Sequence, residues 1–108
     1  MNASELIKEL NAKLVTNDDT LENEYSGIYV GDLLSNVMAN VQEDNLLITI
    51  MCNLNTIAVA SLRDVPIIVF CENKKATDEM IDKANELNIA ILETSLPAAE
   101  VVIKTYNR

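Results

Sequence analysis

The stretch "LLITIMCNLNTIAVASLRDVPIIVFC", Leu46 to Cys71, decides the fold. It opens with "LLITIM", Leu46–Met51, and closes with "PIIVFC", Pro66–Cys71, two apolar runs without polar alternation. Such runs read as strands covered on both faces, as the central strands of parallel sheets are. Between them, "NLNTIAVASLRD", Asn53–Asp64, fits a helix opened by Asn53 or Asn55, whose side-chain oxygens suit an N-cap. Pro66 stands at the start of its strand, where a missing N–H is tolerated. Strand, helix and strand in this order form a right-handed crossover between parallel neighbours.

The same alternation extends outward. Downstream, "ENKKATDEMIDKANELN", Glu72–Asn88, holds a helix capped by Thr77. Asp78 and Glu79 suit the positive end of its dipole, and Met80, Ile81, Ala84 and Leu87 face inward. "IAIL", Ile89–Leu92, is a further strand, and "SLPAAEVVIKTY", Ser95–Tyr106, a last helix with Ser95 as cap and Pro97 in its first turn. Upstream, Leu33, Leu34, Val37, Met38 and Val41 form one apolar stripe on a helix. "GIYVG", Gly27–Gly31, is the strand before it. "NDDTLENEYS", Asn17–Ser26, reads as an exposed loop, and "KLVT", Lys13–Thr16, as a short strand. A first helix carries Leu6, Ile7 and Leu10 on one face, with Asn2 and Glu5 close to a capping box. The expectation is one α/β domain over residues 1–108, a largely parallel sheet of about five strands with flanking helices.

Composition narrows the function. The 108 residues are 49% hydrophobic but include only three Tyr and one Phe, so the core is aliphatic. Seventeen acidic residues against eight basic ones give a net charge of −9. That surface repels phosphate backbones and anionic lipid, which argues against nucleic acid and membranes as partners. No apolar run approaches the roughly 20 residues of a membrane span. "MNASELIKEL" lacks the basic start and apolar centre of a signal peptide. A cytoplasmic protein is expected, and in that compartment Cys52 and Cys71 read as buried small hydrophobes, not a disulfide.

In an open parallel sheet, ligands sit at the carboxyl ends of the strands. The candidate ligand-binding residues are therefore Gly31 and Asp32, Asn53 and Asn55, Glu72 and Asn73, and Thr94 and Ser95. The set is polar and amide-rich, suited to hydrogen bonding with a small molecule. Helix caps and turns account for the same residues without a ligand, and this is the weightier reading. A phosphate cradle needs several glycines, so that consecutive N–H groups can approach the anion. Here Gly31 stands alone beside Asp32, which repels a phosphate. Gly31 is more simply a strand-to-helix turn, with Asp32 capping the helix.

Catalysis has little to work with. The chain has no histidine, so the commonest general base is missing. Glu72 raises the pKa of a thiol at Cys71, against nucleophilic use, although Lys74 and Lys75 oppose it. Two cysteines without histidine make a poor zinc site. A phospho-acceptor receiver needs an acidic pair after its first strand and an aspartate ending a central strand; the central strands here end in Cys52 and Cys71. No catalytic residue, metal or cofactor is assigned.

The order "GIYVGDLLSNVMA", "DNLLITIMCNLNTIAVAS", "PIIVFCEN", "NIAILETSLPAAE" resembles the DRTGG domain, most convincingly from Gly27 to Glu100. That family occurs in some phosphotransacetylases, in CBS-containing pyrophosphatases and as stand-alone proteins, and is related in fold to the N-terminal domain of HPr kinase/phosphorylase. The chain departs from the family's loops. It has "CNL", Cys52–Leu54, in place of Gly-Asp-Arg, "CEN", Cys71–Asn73, in place of Thr-Gly-Gly, and "TSL", Thr94–Leu96, in place of Asp-Thr-Tyr. The resemblance implies the fold and a non-catalytic regulatory or dimerising module, acting as a homodimer or on a partner enzyme or regulatory protein. The alternative is a small-molecule sensor, of nucleotides among others, using the polar strand ends. A cysteine-based transferase subunit ranks third.

Overall fold

The computed structural model describes residues 1–106. Five strands form one sheet: β1 (Lys13–Leu14), β2 (Ile28–Val30), β3 (Leu46–Thr49), β4 (Ile67–Phe70) and β5 (Ala90–Glu93). Five helices accompany them: α1 (Ala3–Leu10), α2 (Leu34–Asn40), α3 (Leu54–Leu62), α4 (Asp78–Glu86) and α5 (Ala98–Thr105). The order across the sheet is β1-β5-β4-β3-β2. β2 to β5 are parallel, and β1 lies antiparallel against β5.

From β2 to β5 the chain advances one strand at a time in one direction. Right-handed crossovers then put α2, α3 and α4 on the same face. The packing agrees: Val37, Val41, Ile57, Ala60, Met80 and Ala84 meet Leu47, Ile68, Phe70 and Ile91 there. On the other face Leu6, Leu10 and Val101, from α1 and α5, meet Leu46, Ile48, Ile67, Val69 and Leu92. Alternate residues of each strand feed alternate layers, and β3, β4 and β5 are buried throughout. That is why their sequences carry no polar alternation.

The helix starts follow the expected chemistry in part. Asn2 and Glu5 form a complete capping box, Asn53 caps α3 through the Asn55 N–H, and Thr77 caps α4. Ser95 and Asp32 do not cap. Pro97 occupies the cap position of α5, just outside its first turn, and Leu33 occupies that of α2, without a side-chain bond.

Three helix ends use one device. Asn11, Asp64 and Asn88 each turn into the left-handed region (φ 49°, 56° and 56°). The next residue then donates its N–H five residues back: Ala12 to Ile7, Val65 to Ala60 and Ile89 to Ala84. This is the Schellman closure, here with Asn and Asp where glycine is usual. The substitution explains how two glycines suffice. Gly27 has φ 79°. Gly31 is needed for closeness, since a Cβ there would lie 3.0 Å from the Tyr29 ring and 3.2 Å from Val37.

Four further expectations are corrected. The run "LLITIM" is a buried strand only as far as Thr49; Ile50 and Met51 lie past its end and are exposed. Residues 17–26 are not simply an exposed loop. Asp18–Glu22 forms a 3-10 turn whose Thr20 is buried, and Tyr25 is buried with its hydroxyl donating to the Thr105 carbonyl at 2.7 Å. The Asn23 amide ties this segment to the Pro66 and Asn88 carbonyls. The apolar stripe of α2 is only half used: Val37 and Val41 are buried, but Leu33 is 69% exposed. Leu87, expected inward, lies at the surface of the α4 end.

Candidate functional site

The carboxyl ends of β2 to β5 bring the sequence-predicted residues to one side of the molecule. Gly31 and Asp32 follow β2, Asn53 and Asn55 open α3 after β3, Glu72 and Asn73 follow β4, and Thr94 and Ser95 follow β5. Their roles differ from one strand to the next.

At β2, Asp32 reaches sideways to the neighbouring strand. Its Oδ1 accepts from the Thr49 hydroxyl and from the Ile50 N–H, each at 2.8 Å. Thr49 in turn accepts the Met51 N–H at 3.0 Å. The carboxylate therefore fastens the ends of two parallel strands, and it is committed to those donors, not to α2. At β3, Asn53 and Asn55 are used by the α3 cap.

Ligands of open α/β sheets bind where successive connections leave for opposite faces. In this fold that point lies between β4 and β5, because β4 leads into α4 on one face and β5 into α5 on the other. The crevice is laced shut. Glu72 donates its N–H to the Leu96 carbonyl at 3.1 Å, and Asn73 to the Thr94 carbonyl at 3.0 Å. The buried Glu93 carboxylate accepts the Ala76 N–H at 2.7 Å and faces the Lys75 Nζ at 3.8 Å. The Thr94 hydroxyl donates to the Leu10 carbonyl at 3.0 Å and accepts the Leu96 N–H at 3.2 Å. Ser95 is exposed and Leu96 half-buried.

Lacing has a conformational cost. Glu72 and Asn73 are both left-handed, with φ 56° and 64°. An L-residue pays about 1–2 kcal/mol there, less for Asn, whose amide tolerates the region. Two successive non-glycine residues thus take this conformation in the turn after β4.

Cys71 directly follows β4 and is buried, as expected, whereas Cys52 lies in the turn past β3, beside the α3 cap, and is only half-buried. Burial pushes the Cys71 thiol up to about 11, helped by the Glu72 and Asp32 carboxylates and opposed by a backbone hydrogen bond at Thr49. Burial also raises Cys52, with Glu93 adding and Lys74 opposing. Both thiols are therefore protonated near neutral pH, which is the wrong state for a nucleophile. Among the described residues no three His, Cys, Asp or Glu side chains converge on a metal position.

Two shallow hollows open elsewhere, near the amino ends of the strands. One, of about 260 Å³, lies between the α3 and α4 ends and includes Asp64, Pro66 and Asn88. The other, of about 350 Å³, is lined by Met1, Glu24, Tyr25, Ser26 and Asp44. Neither is lined by a Lys or Arg side chain, and both carry carboxylates, Asp64 in the first and Glu24 and Asp44 in the second. Sequence reasoning missed Thr49, Glu93 and the Leu96 carbonyl. A lone hydroxyl inside the apolar run "LLITIM" and an acid directly after "IAIL" were the available signals.

No curated protein matches the chain. Among solved structures, it is similar to the crystal structure of the CBS and DRTGG domains of the regulatory region of Clostridium perfringens pyrophosphatase, complexed with the activator diadenosine tetraphosphate. The two share 14% identity with a TM-score of 0.77, over 95% of this chain and 46% of that one. The chain thus spans about half the length of this neighbour, and at that identity the likeness is one of fold. Residues 5–106 match the DRTGG domain. With nearly its whole length inside that match, and with the fold of a solved member of the group, the chain belongs to the DRTGG domain family.

Proposed function

We propose that this chain is a non-catalytic regulatory module that acts by associating with a second copy of itself or with a partner protein. The observation that carries the reading is the closed crevice. The one place where the topology invites a ligand is filled by the protein's own hydrogen bonds, among Glu72, Asn73, Thr94, Leu96, Glu93 and Ala76. A module that offers no open pocket there transmits its state through surface contacts. The regulatory setting of the Clostridium perfringens neighbour and the absence of histidine support the same view.

A small-molecule sensor is the second reading, and the activator in that neighbour's complex favours it. Thermal melting separates the two. Binding to the folded state at a hundredfold excess over Kd stabilises by about 2.7 kcal/mol. Diadenosine tetraphosphate, ATP and AMP are expected to leave the melting temperature unchanged, while raising protein concentration raises it, as association requires. A clear rise with any of these nucleotides, at constant protein concentration, supports the sensor instead.

A further inference from the structure

Of the chain's 17 acidic and 8 basic residues, Asp32 alone falls within residues 25–42 and 45–62. These two segments are neighbours in space. β2 pairs with β3, and α2 packs beside α3. They leave large apolar side chains uncovered at one end of the sheet: Val30 at the end of β2, Leu33 before α2, Ile50 and Met51 after β3, and Leu54 opening α3. On the same side the sheet has an open edge. Gly27 and Gly31 bond to β3, so by the parallel register Ile28 and Val30 turn their N–H and C=O groups outward.

We infer that this charge-poor face, centred on Val30, Leu33, Ile50, Met51 and Leu54, is the self-association surface of the protein, and that its occupant is a second copy of the chain. The inference rests on the association reading and says where association occurs. Charge decides the occupant. Two chains of net charge −9 repel each other over most of their surfaces, and α4 alone exposes Asp78, Glu79, Asp82 and Glu86. A face with few like charges meets its own copy without that repulsion. Interface centres are depleted of charged residues in the same way. An open strand edge is a further feature that association with a twin covers. Asp32 is the single charge within the two segments, and Thr49 and Ile50 already engage it.

The test uses the full chain and sedimentation over a range of concentrations. Leu33→Asp and Leu54→Asp place like charges on both sides of the contact, at positions whose exposure spares the fold. Each is expected to raise the dimer dissociation constant at least tenfold with an unchanged melting temperature at low concentration. Ile103→Asp, on α5 and as exposed as Leu33, serves as control and is expected to leave it unchanged. Added salt is expected to tighten the wild-type dimer, because it screens the net repulsion without touching the neutral contact. A wild-type dimer indifferent to both Leu variants overturns the location and leaves the association reading standing. A wild-type chain that stays monomeric in buffer and salt overturns self-association here, and with no captured protein partner it overturns the association reading as well.

Discussion

At the scale of single residues, the turn after β4 is where local preference and global fold disagree. Glu72 sits at φ 56° with its N–H held by Leu96. Glutamate gains nothing from that conformation, whereas glycine adopts it freely. Glu72→Gly is therefore expected to stabilise the fold by up to about 1 kcal/mol, after allowance for glycine's looser unfolded state, and to raise the melting temperature by several degrees. Glu72→Ala, which keeps the Cβ, is expected not to; an equal gain in both would place the cost in the charge, not the backbone. Cys71 makes the second residue-scale prediction. Its thiol is raised from 9.0 to about 11 in the folded chain. Below pH 9 both states hold the proton, so its contribution is fully present. Above that, the unfolded state ionises first and stability falls until the folded thiol ionises in turn. Cys71→Ala costs about 1–3 kcal/mol at neutral pH through lost packing. The gap between wild type and variant is expected to narrow as pH rises from 9.0 to about 11. Denaturant titrations at several pH values measure it, and a gap that widens contradicts the assignment.

At the scale of elements, the parallel strands are joined at their carboxyl ends by side chains as well as by backbone. Asp32→Ala leaves the Thr49 hydroxyl and the Ile50 N–H without their shared acceptor, and a loss of about 1–3 kcal/mol is expected. Asp32→Asn keeps an acceptor oxygen and is expected to lose less; equal losses would show that the charge and not the bond matters. The elements themselves were legible. "LLIT" and "PIIVFC" declared buried parallel strands because covering both faces removes polar alternation, though the apolar run overstated β3 by the exposed Ile50 and Met51, and the caps at Asn2, Asn53 and Thr77 are written in residue types that favour helix starts. What lay beyond reach were bonds between distant segments. Asp32 beside a helix start reads as a cap, and nothing local points it at Thr49, 17 residues on. Tyr25 reads as part of an acidic loop until Thr105 supplies its acceptor. The candidate ligand residues were brought to one end, as the topology requires, but the register that laces Glu72 and Asn73 to the β5 loop depends on two loops that only the folded chain brings together.

At the scale of the whole molecule, two helical layers enclose the sheet and leave one side poor in charge. On the proposed reading, an acidic chain with a sealed crevice and a charge-poor face meets protein more readily than anionic ligands. The central claim is that association is its working property. Light scattering on the purified full chain, at micromolar concentrations and physiological salt, tests this most directly. A mass twice the 11.9 kDa of the chain is the predicted result. A mass of one chain at every concentration, together with a melting temperature that rises on adding diadenosine tetraphosphate, would contradict it.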